Sequence, residues 1–221
     1  MNTIWRRATV IGLALALMVS VISFADAPEG FTSLFNGKDL TGWKGDSRLW
    51  SVKDGVIVGN TENVKLSHNS FLMTEKKYSD FVLRVKVKLR NHNSGVQFRS
   101  EALDDYAAKG YQADVAEATY FGMLYEEQGR GILPYWNALS DQERADIFNA
   151  SKKGEWNEYE ITCNGDHVKM VLNGKVTLDF DDPEGAKEGI IGLQLHAGPG
   201  MQVEFKDIYI KDLAPKKDEK K

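Results

Sequence analysis

Phe81-Val-Leu-Arg-Val-Lys-Val-Lys-Leu89 alternates between two faces along its whole length. Phe81, Leu83, Val85, Val87 and Leu89 fall on one side of an extended chain, and Arg84, Lys86 and Lys88 on the other. A period of two marks a β-strand with one face in a core and the other in water. Working outward, Trp50-Ser-Val-Lys-Asp-Gly-Val-Ile-Val sets Asp54-Gly55 between two apolar runs, a hairpin signal. Residues 158–162 and 167–172 flank Asn164-Gly165-Asp166, a second hairpin, and Asn173-Gly174 turns into 175–180. Segments 189–196 and 201–210 complete a set of about ten strands. Their regular spacing predicts an all-β sandwich of two antiparallel sheets or a barrel, and the lack of long helices between them argues against a parallel α/β fold. One short helix is predicted at 141–149, with Ser140 as N-cap and Glu143 closing a capping box. It lies in the longest irregular stretch, 120–154, a long loop of the kind that often carries function.

Composition fits one such domain. The chain has 221 residues, 42% hydrophobic, with 20 Gly against 5 Pro, enough for a sizeable core and many tight turns. Residues 1–27 read as a signal peptide: Arg6 and Arg7, an apolar run over 8–24, and an A-x-A site at Ala25-Asp26-Ala27. The expectation is export to the periplasm or the medium, with the mature chain starting near Pro28 and keeping no membrane anchor. Losing two arginines and one aspartate takes the formal charge from −4 to −5, so no basic excess points to nucleic acid. The single cysteine, Cys163, allows no internal disulfide. Residues 28–213 are expected to form the domain, and 214–221 a charged, disordered tail.

Three predicted strands carry polar residues at alternate positions. Gln97 and Arg99 share a face, as do Gln112 and Asp114, and Gln194 and His196. Lys and Arg dominate the solvated side of 81–89, whereas these strands repeat Gln, Asp, Arg and His. Amides, a guanidinium and a carboxylate match the donors and acceptors of sugar hydroxyls, so a polar carbohydrate groove is expected. Tyr111, Tyr120, Phe121, Tyr125, Tyr135 and Trp136 cluster nearby, and aromatic rings suit the apolar faces of pyranoses. Glu126, Glu127 and Arg130 lie in Tyr125-Glu-Glu-Gln-Gly-Arg-Gly, where a carboxylate could act as acid or base and Arg130 could stabilise negative charge. Gln112-Ala-Asp114-Val-Ala-Glu117 approaches the E-x-D-x-x-E strand of laminarinase-like glucanases, but an amide at the nucleophile position argues against ordinary retaining chemistry. No HExxH, paired-His, P-loop, GxGxxG or GxSxG pattern is present.

An ordered set of stretches resembles the 3-keto-disaccharide hydrolase domain family. They include Phe31-Thr-Ser-Leu-Phe-Asn-Gly-Lys-Asp-Leu-Thr-Gly-Trp, Asn93-Ser-Gly-Val-Gln-Phe-Arg, Gly110-Tyr-Gln-Ala-Asp, Gly154-Glu-Trp-Asn-Glu-Tyr and Gly189-Ile-Ile-Gly-Leu-Gln-Leu-His. The resemblance implies a concanavalin-like jelly roll acting on glycosides oxidised at C3. In such chemistry a base removes the C2 proton, an enolate forms at O3 and the C1 substituent leaves. The expected roles are His196 or Glu127 as base, Arg99 or Arg130 at the oxyanion, and Asp114 orienting a partner or binding a metal. Gln97, Gln112, Tyr125, Gln194 and Trp136 are expected to bind substrate. A divalent metal at the enolate oxygen is compatible with this chemistry, with no ligand set assigned. The alternative expectation is a non-catalytic lectin-like module using the same face.

Overall fold

Fifteen strands and two short α-helices occupy the described residues, 27–213, of this computed structural model. The expected signal peptide, apart from Ala27, and the expected tail over 214–221 lie outside them. In chain order the first strands are β1 (Thr32–Ser33), β2 (Trp43–Lys44), β3 (Trp50–Lys53), β4 (Val56–Asn60), β5 (Ser70–Thr74), β6 (Phe81–Leu89), β7 (Asn93–Ala102) and β8 (Ala108–Ala116). Then come β9 (Leu124–Glu127), β10 (Gly131–Ile132), α1 (Pro134–Ala138), α2 (Asp141–Phe148), β11 (Asn157–Asn164), β12 (His167–Leu172), β13 (Lys175–Asp181), β14 (Ile190–Leu195) and β15 (Gln202–Asp212).

All strand pairs are antiparallel, and they form two sheets packed face to face as a jelly-roll sandwich. The first runs β13-β12-β11-β6-β15-β4-β3, with β1 added alongside β15; the second runs β10-β9-β8-β7-β14-β5-β2. Strand β6 keeps its alternation throughout: its five odd-numbered residues are buried, and Arg84, Lys86 and Lys88 face outward. Outside, Arg84 pairs with Glu160, Lys86 with Asp207 and Lys88 with Glu204, at 2.7–2.8 Å. These half-exposed pairs contribute only about 0–1 kcal/mol each. Burial of β6 against Val96, Phe98, Ala113 and Val115 of the second sheet supplies the main cohesion.

The hairpins at Asp54-Gly55 and around Gly165 form as expected. Helix α2 closes both halves of its capping box, Ser140 Oγ accepting from Glu143 N and the Glu143 carboxylate accepting from Ser140 N at 2.8 Å. The long loop holds a second helix, α1, which begins at Pro134, where a missing N–H costs nothing. Strand β5 had no alternating signature because Ser70-Phe-Leu-Met-Thr is buried on both faces.

Candidate functional site

The core side of β8 carries Tyr111, Ala113 and Val115, so strand geometry turns Gln112 and Asp114 to the sheet's other face. Gln97 lies opposite Gln112 on β7, and Gly95 lies opposite Asp114. On β14, Gln194 shares this face, and His196 follows at the strand's end. Unlike the outer face of the first sheet, this face is buried: Asp114 is 5% exposed and Gln194 0%. Met123, Tyr125 and Glu127 from the β8–β9 connection and β9 rise beside it, leaving a cleft of about 270 Å³. Asn69, Asn93, Gln112, Asp114, Gln194 and His196 line the cleft with them.

A one-way chain of hydrogen bonds sets the floor. Ser100 Oγ donates to Gln97 Oε1 (2.6 Å), Gln97 Nε2 to Gln112 Oε1 (3.2 Å), and Gln112 Nε2 to Asp114 Oδ1 (2.7 Å). The chain fixes the orientation of both amides and leaves Oδ2 as the free oxygen of Asp114. Burial pushes the Asp114 carboxyl up to about 7, and the nearby charge of Glu127 pushes the same way against the Gln112 bond. Gly95 makes room for this arrangement, since a Cβ there would lie 2.3 Å from Gln112 Cδ. Gly95→Ala is therefore expected to displace Gln112 and lower stability by about 1–3 kcal/mol, read as a fall in Tm by thermal unfolding.

Burial also raises the Glu127 carboxyl, partly opposed by a bond from Asn69 Nδ2 at 3.1 Å. Gln194 Nε2 lies 3.5 Å from the other Glu127 oxygen. Asn69 Oδ1 accepts from Ala197 N at 2.9 Å, so one amide ties Glu127 to the backbone beside His196. His196 Nδ1 stands 2.6 Å from the Ala197 carbonyl, which only accepts, so Nδ1 carries the proton and Nε2 keeps a lone pair. Burial lowers the imidazole below its ordinary range, and the adjacent His92 ring acts in the same direction. Two acceptors, Asn93 Oδ1 and Gln194 Oε1, are buried at the cleft without a partner, an arrangement that a donor from a bound molecule would relieve.

Asn69→Ala is expected to release the Glu127 carboxyl from its tie to the Ala197 backbone. It should also raise the Glu127 carboxyl further, because the deleted bond favours the charged form. Carbon-13 NMR titration of the Glu127 carboxyl in both proteins checks this, and an unmoved titration contradicts it.

Of the residues singled out from sequence, the cleft thus brings together Asp114, Glu127, His196, Gln112, Tyr125 and Gln194. Gln97 lies beside Gln112 as its support. Trp136 is packed with Met123 and Ile147 and edges a neighbouring depression. The two arginines require correction. Pairing of β7 with β8 slips between Phe98 and Glu101, and Arg99 takes a φ of +45° at that bulge. Its side chain leaves the polar face and is buried against Asp80 and the carbonyls of Ser79 and Gly165, at 2.7 Å each. Arg130 likewise stands outside the cleft: it grips Asp182 through Nη1 (3.0 Å) and Nη2 (2.5 Å), and also Glu126, with Tyr111 Oη alongside at 3.4 Å. Asn69 had no signal in the sequence, because it precedes β5 and meets the site only through folding; Asn93 had one, sitting two residues before Gly95 on the same face as Gln97. Among the described residues, no cluster of three or more His, Cys, Asp or Glu is arranged to hold a metal ion.

Residues 30–211 match the family model of the 3-keto-alpha-glucoside-1,2-lyase-like domain. A solved candidate glycosyl hydrolase from Parabacteroides distasonis ATCC 8503 is 26% identical with a TM-score of 0.60, over 83% of this chain and 94% of that one. Another from the same organism is 23% identical with a TM-score of 0.59, over 83% and 99%. The carbohydrate-binding module CBM66 from Bacillus subtilis shares the fold at 17% identity and a TM-score of 0.55, over 77% and 96%. No curated protein matches the sequence.

Proposed function

The chain belongs to the 3-keto-alpha-glucoside-1,2-lyase-like domain family, and from that premise we propose that its cleft cleaves 3-keto-glycosides by elimination across C1 and C2. The observation that carries this reading is the pairing, in one cleft, of a carboxyl kept protonated toward neutral pH with an imidazole kept neutral. Groups whose environments push their protonation in opposite directions suit an acid and a base working together.

The ketone at C3 acidifies the C2–H bond. His196 Nε2 takes that proton, and the electron pair moves into the C2–C3 bond and onto O3. The enolate then collapses: C1=C2 forms, the C1–O bond breaks, and the departing oxygen takes the proton of Asp114 Oδ2. One proton has passed from C2 to the leaving group, and the products are an enone and an alcohol. Addition of water to C1 of the enone yields the free 3-keto sugar. With both arginines committed elsewhere, the second N–H of Gln112 and of Gln194 supplies the donors for O3. Glu127, held by Asn69, accepts from a sugar hydroxyl.

A second reading, a lectin-like module, is favoured by the partnerless acceptors Asn93 Oδ1 and Gln194 Oε1, which suit bound hydroxyls whether or not a bond breaks. The two are separated by incubating the protein with a 3-keto-glucoside and with its unoxidised parent, with and without added divalent metal. Release of the alcohol from the keto compound alone supports elimination. Binding of either glycoside without release supports the lectin-like reading and overturns the lyase.

A further inference from the structure

The cleft adjoins a second depression of about 500 Å³ beside α1 and α2, and Tyr120 and Ile132 line both. Ligand pockets commonly run from about 300 to 1,000 Å³. The inner cleft alone falls just short of that range, room for one sugar ring, and the outer depression brings the whole groove within it. On the 3-keto-glycoside reading above, we infer that this outer depression is the leaving-group subsite, and that it takes a flat aromatic alcohol.

The chemistry of the two chambers differs. The inner one is walled by amides and carboxyls that suit hydroxyls. In the outer one, the two charged groups, Asp141 and Arg144, pair with each other. Arg144 Nη2 donates to Asp141 at 2.5 Å, and Nη1 donates to the carbonyls of Trp136, at 3.2 Å, and Leu139. Beside the polar Thr119 and Asn137, a ligand there meets the apolar surface of Tyr120, 42% exposed, and Ile132, 38% exposed, two of the few large apolar side chains left open among the described residues. Both line the inner cleft as well as the outer depression, so a group attached at C1 that reached from one to the other would pass them. A tyrosine face beside a branched aliphatic chain offers an aromatic ring stacking and burial. The wall is also firm: α2 is closed by its capping box, and Arg144 staples it to α1.

The test compares three 3-keto-glucosides with the full chain: methyl, benzyl and a glucosyl disaccharide. Benzyl and methyl alcohol are leaving groups of similar basicity, so their difference reports contacts. Benzyl is expected to exceed methyl in kcat/KM by about tenfold or more, and Tyr120→Ala and Ile132→Ala should each collapse that ratio. A misfolded fraction lowers both rates and leaves the ratio intact, so each variant is its own control. Equal kcat/KM for all three, or a ratio unmoved by both variants, overturns the subsite while leaving the lyase reading standing. A preference for the disaccharide overturns the aromatic assignment. Cleavage of none removes the parent reading and this one with it.

Discussion

His196→Ala is expected to lower kcat/KM for a 3-keto-glucoside by about 10²- to 10⁴-fold, the usual worth of a positioned general base. Two constraints fit the imidazole to this proposed role. The Ala197 carbonyl holds the proton on Nδ1, and burial keeps the ring neutral to a lower pH than usual. The wild-type rate should therefore rise with pH through the lowered His196 range and fall again around pH 7, where Asp114 gives up its proton. In His196→Ala the acidic limb should vanish and the alkaline limb remain. A variant that keeps the full rate, or keeps the acidic limb, rules His196 out as the base. Stability should hardly change, because the side chain is only partly buried and Asn69 still binds Ala197 N.

Asp114→Asn is expected to pull activity and stability in opposite directions. Turnover should fall by about 10²- to 10⁴-fold, since an amide cannot protonate the departing oxygen. Stability should rise. The carboxyl moves from 3.8 to about 7 on folding, so between those values the folded chain binds the proton that the unfolded chain has released. Wild-type stability is thus lost as pH climbs from about 4 to about 7, by on the order of 4 kcal/mol in total, and the loss is complete above. Asparagine mimics the protonated acid, accepting from Gln112 in the same way, and carries no such penalty. Chemical denaturation at pH 4, 6 and 8 should show the variant's advantage widening and then levelling. A constant difference across that range contradicts the protonated state assigned to Asp114.

How much of this was legible beforehand depended on whether each feature is local. Residues 81–89 declared their strand because alternation along a half-buried strand needs nothing beyond neighbours two apart. The same rule correctly put Gln112 with Asp114 and Gln194 with His196. It failed one strand away: a single bulged residue turned Arg99 around, and no pattern in Asn93-Ser-Gly-Val-Gln-Phe-Arg marks that slip. Arg130 was misplaced for a different reason. Its partner Asp182 is 52 residues further on, and nothing short-range signals that encounter. Nor does composition distinguish a polar face open to water from one roofed by a loop, and the roof is what gives Asp114 its perturbed acidity.

Arg130, removed from the chemistry, has a consequence for binding kinetics. The β9–β10 hairpin carries Tyr125, Glu127 and Ile132 into the groove, and the Arg130–Asp182 fork anchors that hairpin to the segment after β13. Chain entropy that a loose flap would surrender on meeting its ligand is here already surrendered at folding. A ligand of the groove therefore meets a finished wall, and its capture should be a single-step, concentration-proportional event without a slow phase of loop closure.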